Sequence, residues 1–134
     1  MPDQRSATTR DGRRLTYSVA GDGHLLMCHP GGPGFDGLCF EDLAGLTASR
    51  TVVSVNPAGT RGSDPWTEDA YSLERRADDV DDLRATLGEE RIDYLGHSAG
   101  GFVGMHYAAL YPRRVRRLVL VGTFPRFTDE VARP

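Results

Sequence analysis

The sequence predicts an α/β chain, a mostly parallel sheet opened by an antiparallel hairpin. Three observations predict it. From Leu25 onward, short apolar or β-branched runs alternate with helical patterns, as in repeated βαβ units. Ahead of them, two strand-like runs flank Asp11-Gly12, a hairpin-turn signal. Finally, glycine-rich loops at 29–34 and 96–101 each follow an apolar strand and precede a helix.

Residues 1–5 read as a loose tail, and 6–10 and 13–20 as the arms of the hairpin. Gly21-Asp22-Gly23 is a second turn. Leu25-Leu26-Met27-Cys28 is a continuous apolar run, as in a strand buried on both faces. It enters the loop His29-Pro30-Gly31-Gly32-Pro33-Gly34. Residues 41–49 form a short helix candidate, and 51–55 a β-branched strand. Residues 56–66 are a loop rich in Pro, Gly and Ser. Ser72 is placed to cap the next helix, whose Leu73, Ala77, Val80, Leu83 and Leu87 make one apolar stripe. Asp78, Asp79, Asp81, Asp82 and Arg84 fill the remainder and read as a solvated face, with Gly88 at the C-cap. Residues 92–95 are the next strand. Phe102, Val103, Tyr107, Ala108 and Leu110 mark a helix that stops near Pro112, and 116–121 the last strand. The segment 124–134 reads as an irregular tail, so residues 1–134 make up part of a single domain.

Composition narrows the function. The chain has 134 residues, 39% hydrophobic and 26% charged, which excludes low-complexity and strongly charged disordered chains. Apolar runs such as 118–121 are far too short to span a membrane, and Met1-Pro2-Asp3-Gln4-Arg5 lacks the pattern of a secretory leader. A cytoplasmic protein with no membrane contact is expected. A net charge of −3 argues against a nucleic-acid partner. Cys28 and Cys39 alone imply no disulfide framework. All 16 basic residues are arginine, which excludes Schiff-base and P-loop lysine chemistry. His29 has no partner at metal-ligand spacing, so no metal and no cofactor is expected.

Gly96-His97-Ser98-Ala99-Gly100 is a G-x-S-x-G motif between a strand and a helix. The chemistry accounts for the spacing. A nucleophilic serine must stand exposed on a sharp strand-to-helix turn, and flanking glycines relieve the crowding there. The helix that starts at the turn aims its N–H groups at the reacting centre. Ser98 is therefore the candidate nucleophile, with Gly96, His97 and Gly100 supporting the turn. His97, adjacent to Ser98, reads as a packing or solvent-facing residue. Acyl transfer also needs two N–H donors for the oxyanion. Ala99 would supply one and Gly32 the other, with Gly31 the next choice, because glycine lets a backbone approach closely.

With these motifs the chain resembles the α/β-hydrolase superfamily, and within it the proline iminopeptidase-like branch. The carriers are the HGGPG-like loop at 29–34, the loop Asn56-Pro57-Ala58-Gly59-Thr60-Arg61-Gly62-Ser63, and the elbow followed by Tyr111-Pro112-Arg113-Arg114-Val115. Pro30 departs from the family loop. Asn56 and Ala58 stand where the family often has Asp and Arg, which removes a potential charged anchor for the second loop. The resemblance implies an α/β-hydrolase fold truncated after about the sixth strand, since such chains run to about twice this length. The family's triad order is Ser, then Asp or Glu, then His. No complete triad is visible. His106 lies eight residues beyond Ser98, about 12 Å along a helix, His24 sits at the far end of its strand, and Asp129 would still lack a histidine.

The expectation is a serine hydrolase acting by acyl transfer on a small ester, amide or short peptide, incomplete without its Asp and His, with an aminopeptidase-like activity as the finer reading the resemblance implies. Ser98 argues against dehalogenase or epoxide-opening chemistry, which usually places Asp at the elbow. The alternative is a non-catalytic remnant or interaction module. Under either reading, truncation after the sixth strand would make the strand 116–121 an apolar edge open to self-association.

Overall fold

The structure, a computed structural model, describes residues 3–32, 34–67 and 72–125. Among them are six strands: β1 (Asp3–Thr8), β2 (Arg14–Ala20), β3 (His24–His29), β4 (Arg50–Asn56), β5 (Ile92–His97) and β6 (Val115–Val121). Two helices, α1 (Leu73–Thr86) and α2 (Ala99–Leu110), lie between β4 and β5 and between β5 and β6. The strands form one sheet in the order β1-β2-β4-β3-β5-β6. β1, β2 and β4 pair antiparallel, and β4, β3, β5 and β6 pair parallel. From β3 the chain moves outward to β4, then returns past β3 to β5. The reversal opens a crevice beyond the carboxyl ends of β3 and β5, where ligands bind in sheets of this kind. The register pairs His29 with Gly96, so the loop after β3 and the elbow after β5 meet there.

Side chains alternate across the sheet. Met27, Val53, Val55, Ile92 and Tyr94 face Ala77, Val80 and Leu83 of α1 and Val103 and Tyr107 of α2. Leu26, Cys28 and Val52 face the other way, against Phe40. The stripe on α1 is as the spacing implies, except that Leu73 remains exposed. Ser72 accepts from Arg75 N at 3.1 Å, and Gly88 turns the chain out of the helix with φ +73°. At the sheet edge, Val119, Leu120 and Val121 of β6 are 44, 40 and 46% exposed.

Three expectations require correction. Residues 3–5, read as a loose tail, belong to β1, where Asp3 pairs with Val19; their polar side chains conceal the pairing, which the backbone makes. The helix over 41–49 does not form. Glu41, Leu43, Ala44 and Gly45 have positive φ, and the segment folds as 3₁₀ turns at Gly37–Phe40 and Leu46–Ala48 that press Phe40 onto the sheet. The acidic face of α1 is not merely solvated. Asp79 is buried and takes a two-pronged contact from Arg13 at 2.6 and 3.2 Å, while Arg10 reaches Asp78, Asp81 and Asp82 at 3.4, 3.5 and 2.9 Å. This network fastens the hairpin to α1. The loop after β4 lacks a charged anchor, as the sequence implies, and is held by neutral hydrogen bonds. Buried Asn56 donates to Thr16 Oγ1 and accepts from Gly37 N, both at 2.9 Å, and Ser63 donates to Asn56 O at 2.7 Å.

Asp79→Ala would leave the buried Arg13 guanidinium with Asp11 alone, at 2.9 Å, a loss of up to about 3 kcal/mol. In urea denaturation the Arg13→Met/Asp79→Leu double variant is expected to lose less than the two single losses combined. Acid unfolding is expected in two stages. Burial pushes the His29 imidazole down to about 4, with the Arg76 charge adding to the effect and a contact to Pro30 O opposing it. Its folded value lies below the unfolded value of about 6.5, so stability is lost as pH falls between these two values. The Arg116 hydrogen bond, aided by Arg50 and opposed by burial, holds Asp93 down to about 2, so a second loss runs from about pH 4 toward 2. Fluorescence-monitored acid titration should show the first stage removed in His29→Gln and the second diminished in Asp93→Asn.

Candidate active site

Ser98 sits between β5 and α2 with φ 52° and ψ −116°, a backbone conformation that side chains other than hydrogen rarely adopt. Its surroundings hold it there. Ser98 N donates to Val121 O at 2.9 Å, and Gly101 N donates to Ser98 O at 2.9 Å. A methyl group on Gly96 would lie 2.4 Å from Gly100 O, and one on Gly100 would lie 2.2 Å from His29 O. The start of α2 therefore crosses β5 and the end of β3 at a separation open only to glycine. Tyr94, fully buried, donates its hydroxyl to Gly100 O at 2.7 Å and fixes the same turn from below. Gly104 leaves room for the Tyr94 ring, since a Cβ there would lie 2.4 Å from Tyr94 Cε1.

A cleft of about 690 Å³ opens above this turn. Ser98, Ala99, Gly31 and Gly32 all line it. Ala99 is the first residue of α2, where N–H groups have no acceptor within the helix. Gly31 passes close to the elbow: a Cβ there would lie 3.0 Å from Ser98 Cβ. Gly32 has φ +156°, which favours glycine. Gly96 and Gly100 form the crossing beneath the cleft. His97 is exposed and does not line it; its ring lies beside Gly31 and Gly122. The sequence thus brings together Ser98, Ala99, Gly31 and Gly32, and leaves His97 at the rim.

The apolar wall includes Phe35, Trp66, Phe102 and Phe124, the last two in an edge-to-face contact at 5.3 Å. Arg76 also lines the cleft, its guanidinium 4.2 Å from the centre of the Trp66 ring. His29, buried at the cleft floor, is held neutral near pH 7 by the desolvation noted above, with Nδ1 3.1 Å from Pro30 O. Trp66, Arg76, Phe102 and Phe124 are absent from the motif-based set. A signal for Arg76 existed in its position: a cation in the first turn of α1 opposes the helix macrodipole. Among the described residues the Ser98 hydroxyl makes no hydrogen bond. His24 opens β3 at the opposite end of the sheet, His106 lies two turns along α2, and Asp129 lies outside the described residues. No group of three or more His, Cys, Asp or Glu among the described residues could hold a metal ion. No helix among them is long and apolar enough to cross a membrane.

Comparison with known proteins bears on the fold that carries this cleft. A hydrolase from Pseudomonas aeruginosa superimposes with a TM-score of 0.87 at 28% identity, over 97% of this chain and 49% of its own. The esterase RhEst1 from Rhodococcus sp. superimposes with a TM-score of 0.82 at 29% identity, over 91% of this chain and 46% of its own. In sequence, the cis-3-alkyl-4-alkyloxetan-2-one decarboxylase of Shewanella oneidensis is 30% identical over 126 residues, 92% of this chain and 40% of that protein. The chain spans less than half the length of each of these relatives. The family model of the alpha/beta hydrolase fold matches residues 24–134. With a mostly parallel sheet, an antiparallel N-terminal hairpin and a matching family model over most of its length, the chain belongs to the α/β-hydrolase family.

Proposed function

We infer that this chain supplies the nucleophile and oxyanion half of a serine hydrolase that cleaves an ester or amide by acyl transfer. The observation that carries the reading is the strained positive-φ conformation of Ser98 at a strand–helix turn, facing a cleft shared with Gly31, Gly32 and Ala99. Ser98 Oγ attacks the substrate carbonyl, and the proton it loses goes to a histidine base. The carbonyl oxygen becomes an oxyanion that the N–H groups of Ala99 and Gly32, or Gly31, stabilise at the positive end of α2. Collapse of the tetrahedral intermediate expels the alcohol or amine, and water then releases the acyl group. The histidine and its acid are assigned by the family order to sequence following the elbow. No cofactor takes part. Cys28 and Cys39 are both free thiols, which suits a cytoplasmic setting.

The finer proline iminopeptidase-like reading rests on the glycine–proline loop at 29–34. It requires an acidic group for the substrate's free amine, and none of the described residues lining the cleft is acidic. The general ester or amide reading is therefore preferred. The competing assignment, a non-catalytic interaction module, takes its support from the Ser98 hydroxyl, which meets no base among the described residues.

In the protein carrying this chain, Ser98→Ala is expected to lower turnover of p-nitrophenyl butyrate by about a thousandfold or more. A fluorophosphonate should label Ser98 in the parent and not in the variant. Unlabelled parent protein with normal circular dichroism would favour the interaction module. Gly100→Ala places a methyl against the His29 carbonyl. It should cost about 1–3 kcal/mol in thermal unfolding and abolish labelling of Ser98 although the serine is retained.

A further inference from the structure

A buried phenol lies under the elbow. Tyr94 of β5 is fully buried, and its ring packs between those of His29 and Tyr107, with centroids 6.4 Å away in each case. Its hydroxyl donates to Gly100 O at 2.7 Å, in the first turn of α2. Gly100 O belongs to a peptide whose other end is the Gly101 N–H, and that N–H donates to Ser98 O at 2.9 Å. Ser98 O belongs in turn to the peptide that ends in the Ala99 N–H, the group assigned above to the oxyanion. A trans peptide sets its C=O and N–H on opposite sides, so what it accepts at one end bears on what it donates at the other. The Tyr94 hydroxyl, the Gly100–Gly101 peptide and the Ser98–Ala99 peptide thus form one continuous chain of hydrogen bonds. Each bond accepted by a carbonyl polarises its peptide and makes the N–H beyond it a stronger donor. Burial pushes the pKa of the Tyr94 hydroxyl well above its ordinary range, with Cys28 and Tyr107 adding to the effect, so the hydroxyl stays a donor around neutral pH.

We propose that Tyr94 is a positioning residue for acyl transfer, which orients and polarises the Ala99 N–H through two successive peptides and so strengthens the bond that Ala99 gives to the oxyanion. This rests on the reading of Ser98 as nucleophile and Ala99 as oxyanion donor. Tyr94 does not line the cleft and touches no substrate; it acts through the backbone of the elbow. A stronger N–H donor favours the charged oxyanion over the neutral carbonyl of the bound substrate, so its effect falls on the transition state. Phenylalanine would fill the same space without the hydroxyl, which separates the part the ring plays in packing from the part the donor plays in the chain.

In the protein carrying this chain, Tyr94→Phe is expected to lower kcat for p-nitrophenyl butyrate about fivefold, a fraction of the loss from deleting an oxyanion donor outright, and to keep KM within about twofold. Tyr107→Phe is the control. It removes a second hydroxyl from the same core, one bonded to Asp81 at 3.0 Å and outside the chain. Its kcat is expected to stay within about twofold of the parent, even where its thermal midpoint falls as far as that of Tyr94→Phe. The infrared carbonyl stretch of the acyl-enzyme should rise in Tyr94→Phe, as the bond from Ala99 weakens. It should fall when 3-fluorotyrosine, a stronger donor, replaces Tyr94, and this replacement decides should Tyr94→Phe fail to fold. A kcat in Tyr94→Phe within about twofold of the parent, equal losses in the two phenylalanine variants, or an unmoved carbonyl stretch overturns the proposal. A parent with neither turnover nor fluorophosphonate labelling overturns the nucleophile assignment instead, and the chain then stands or falls on the Ala99 amide proton. Its resonance should move upfield in Tyr94→Phe and hold its place in Tyr107→Phe; the same position in Tyr94→Phe and the parent overturns the chain.

Discussion

The structure turns on a backbone crossing. The first turn of α2 passes over β5 and the end of β3 so closely that a methyl group on Gly96 or Gly100 would overlap a carbonyl oxygen. Closeness at this point places the elbow, the loop after β3 and the helix N-terminus within one crevice. It also keeps Ser98 in a backbone conformation that the chain would not otherwise choose. Interiors are packed too densely to absorb even a methyl group without displacement. The same contact that builds the cleft therefore limits how it can change.

A second constraint lies at the other side of the domain. β1 buries only Ala7, while β2 pairs with β4 and sets Leu15 and Tyr17 in the main core. Arginines add a polar attachment. Arg13 forks onto Asp79 within the protein, and Arg10 spans three carboxylates of α1 at its surface. Tyr107 and Tyr111 of α2 extend this network through Asp81 and Asp78. Hairpin, α1 and α2 are thus joined by polar contacts on top of the apolar core beneath them. Such buried charges are strongly coupled: removing one partner costs more than the intact pair contributes.

The sequence made most elements legible where the signal was local. The apolar run Leu25 to Cys28, the β-branched run Thr51 to Val55, the cap at Ser72 and the elbow at Ser98 each carry their own chemistry within a few residues. The strand 3–5 was concealed because an edge strand can be polar on both faces when it is fastened by backbone pairing. The segment 41–49 looked helical by composition, yet the path from β3 to β4 demanded left-handed turns at Glu41, Leu43 and Ala44, which no residue preference announces. The acidic face of α1 could not be told from a solvated one, because its partners Arg10 and Arg13 lie more than 60 residues away in sequence. The same holds for the cleft. Glycines and Ser98 declare themselves by motif, whereas Trp66 and Arg76 are assembled by a loop and a helix whose meeting only the fold determines.

One feature of the elbow links it to a strand on its far side. The amide of Ser98 is tied to Val121 O at the end of β6, and Gly101 packs against the Thr123 side chain just past that strand. The amide at the reactive turn is therefore held by the strand that follows α2, and not by β3 beside it in the sheet. The reactive backbone geometry lasts only while the end of β6 stays in place.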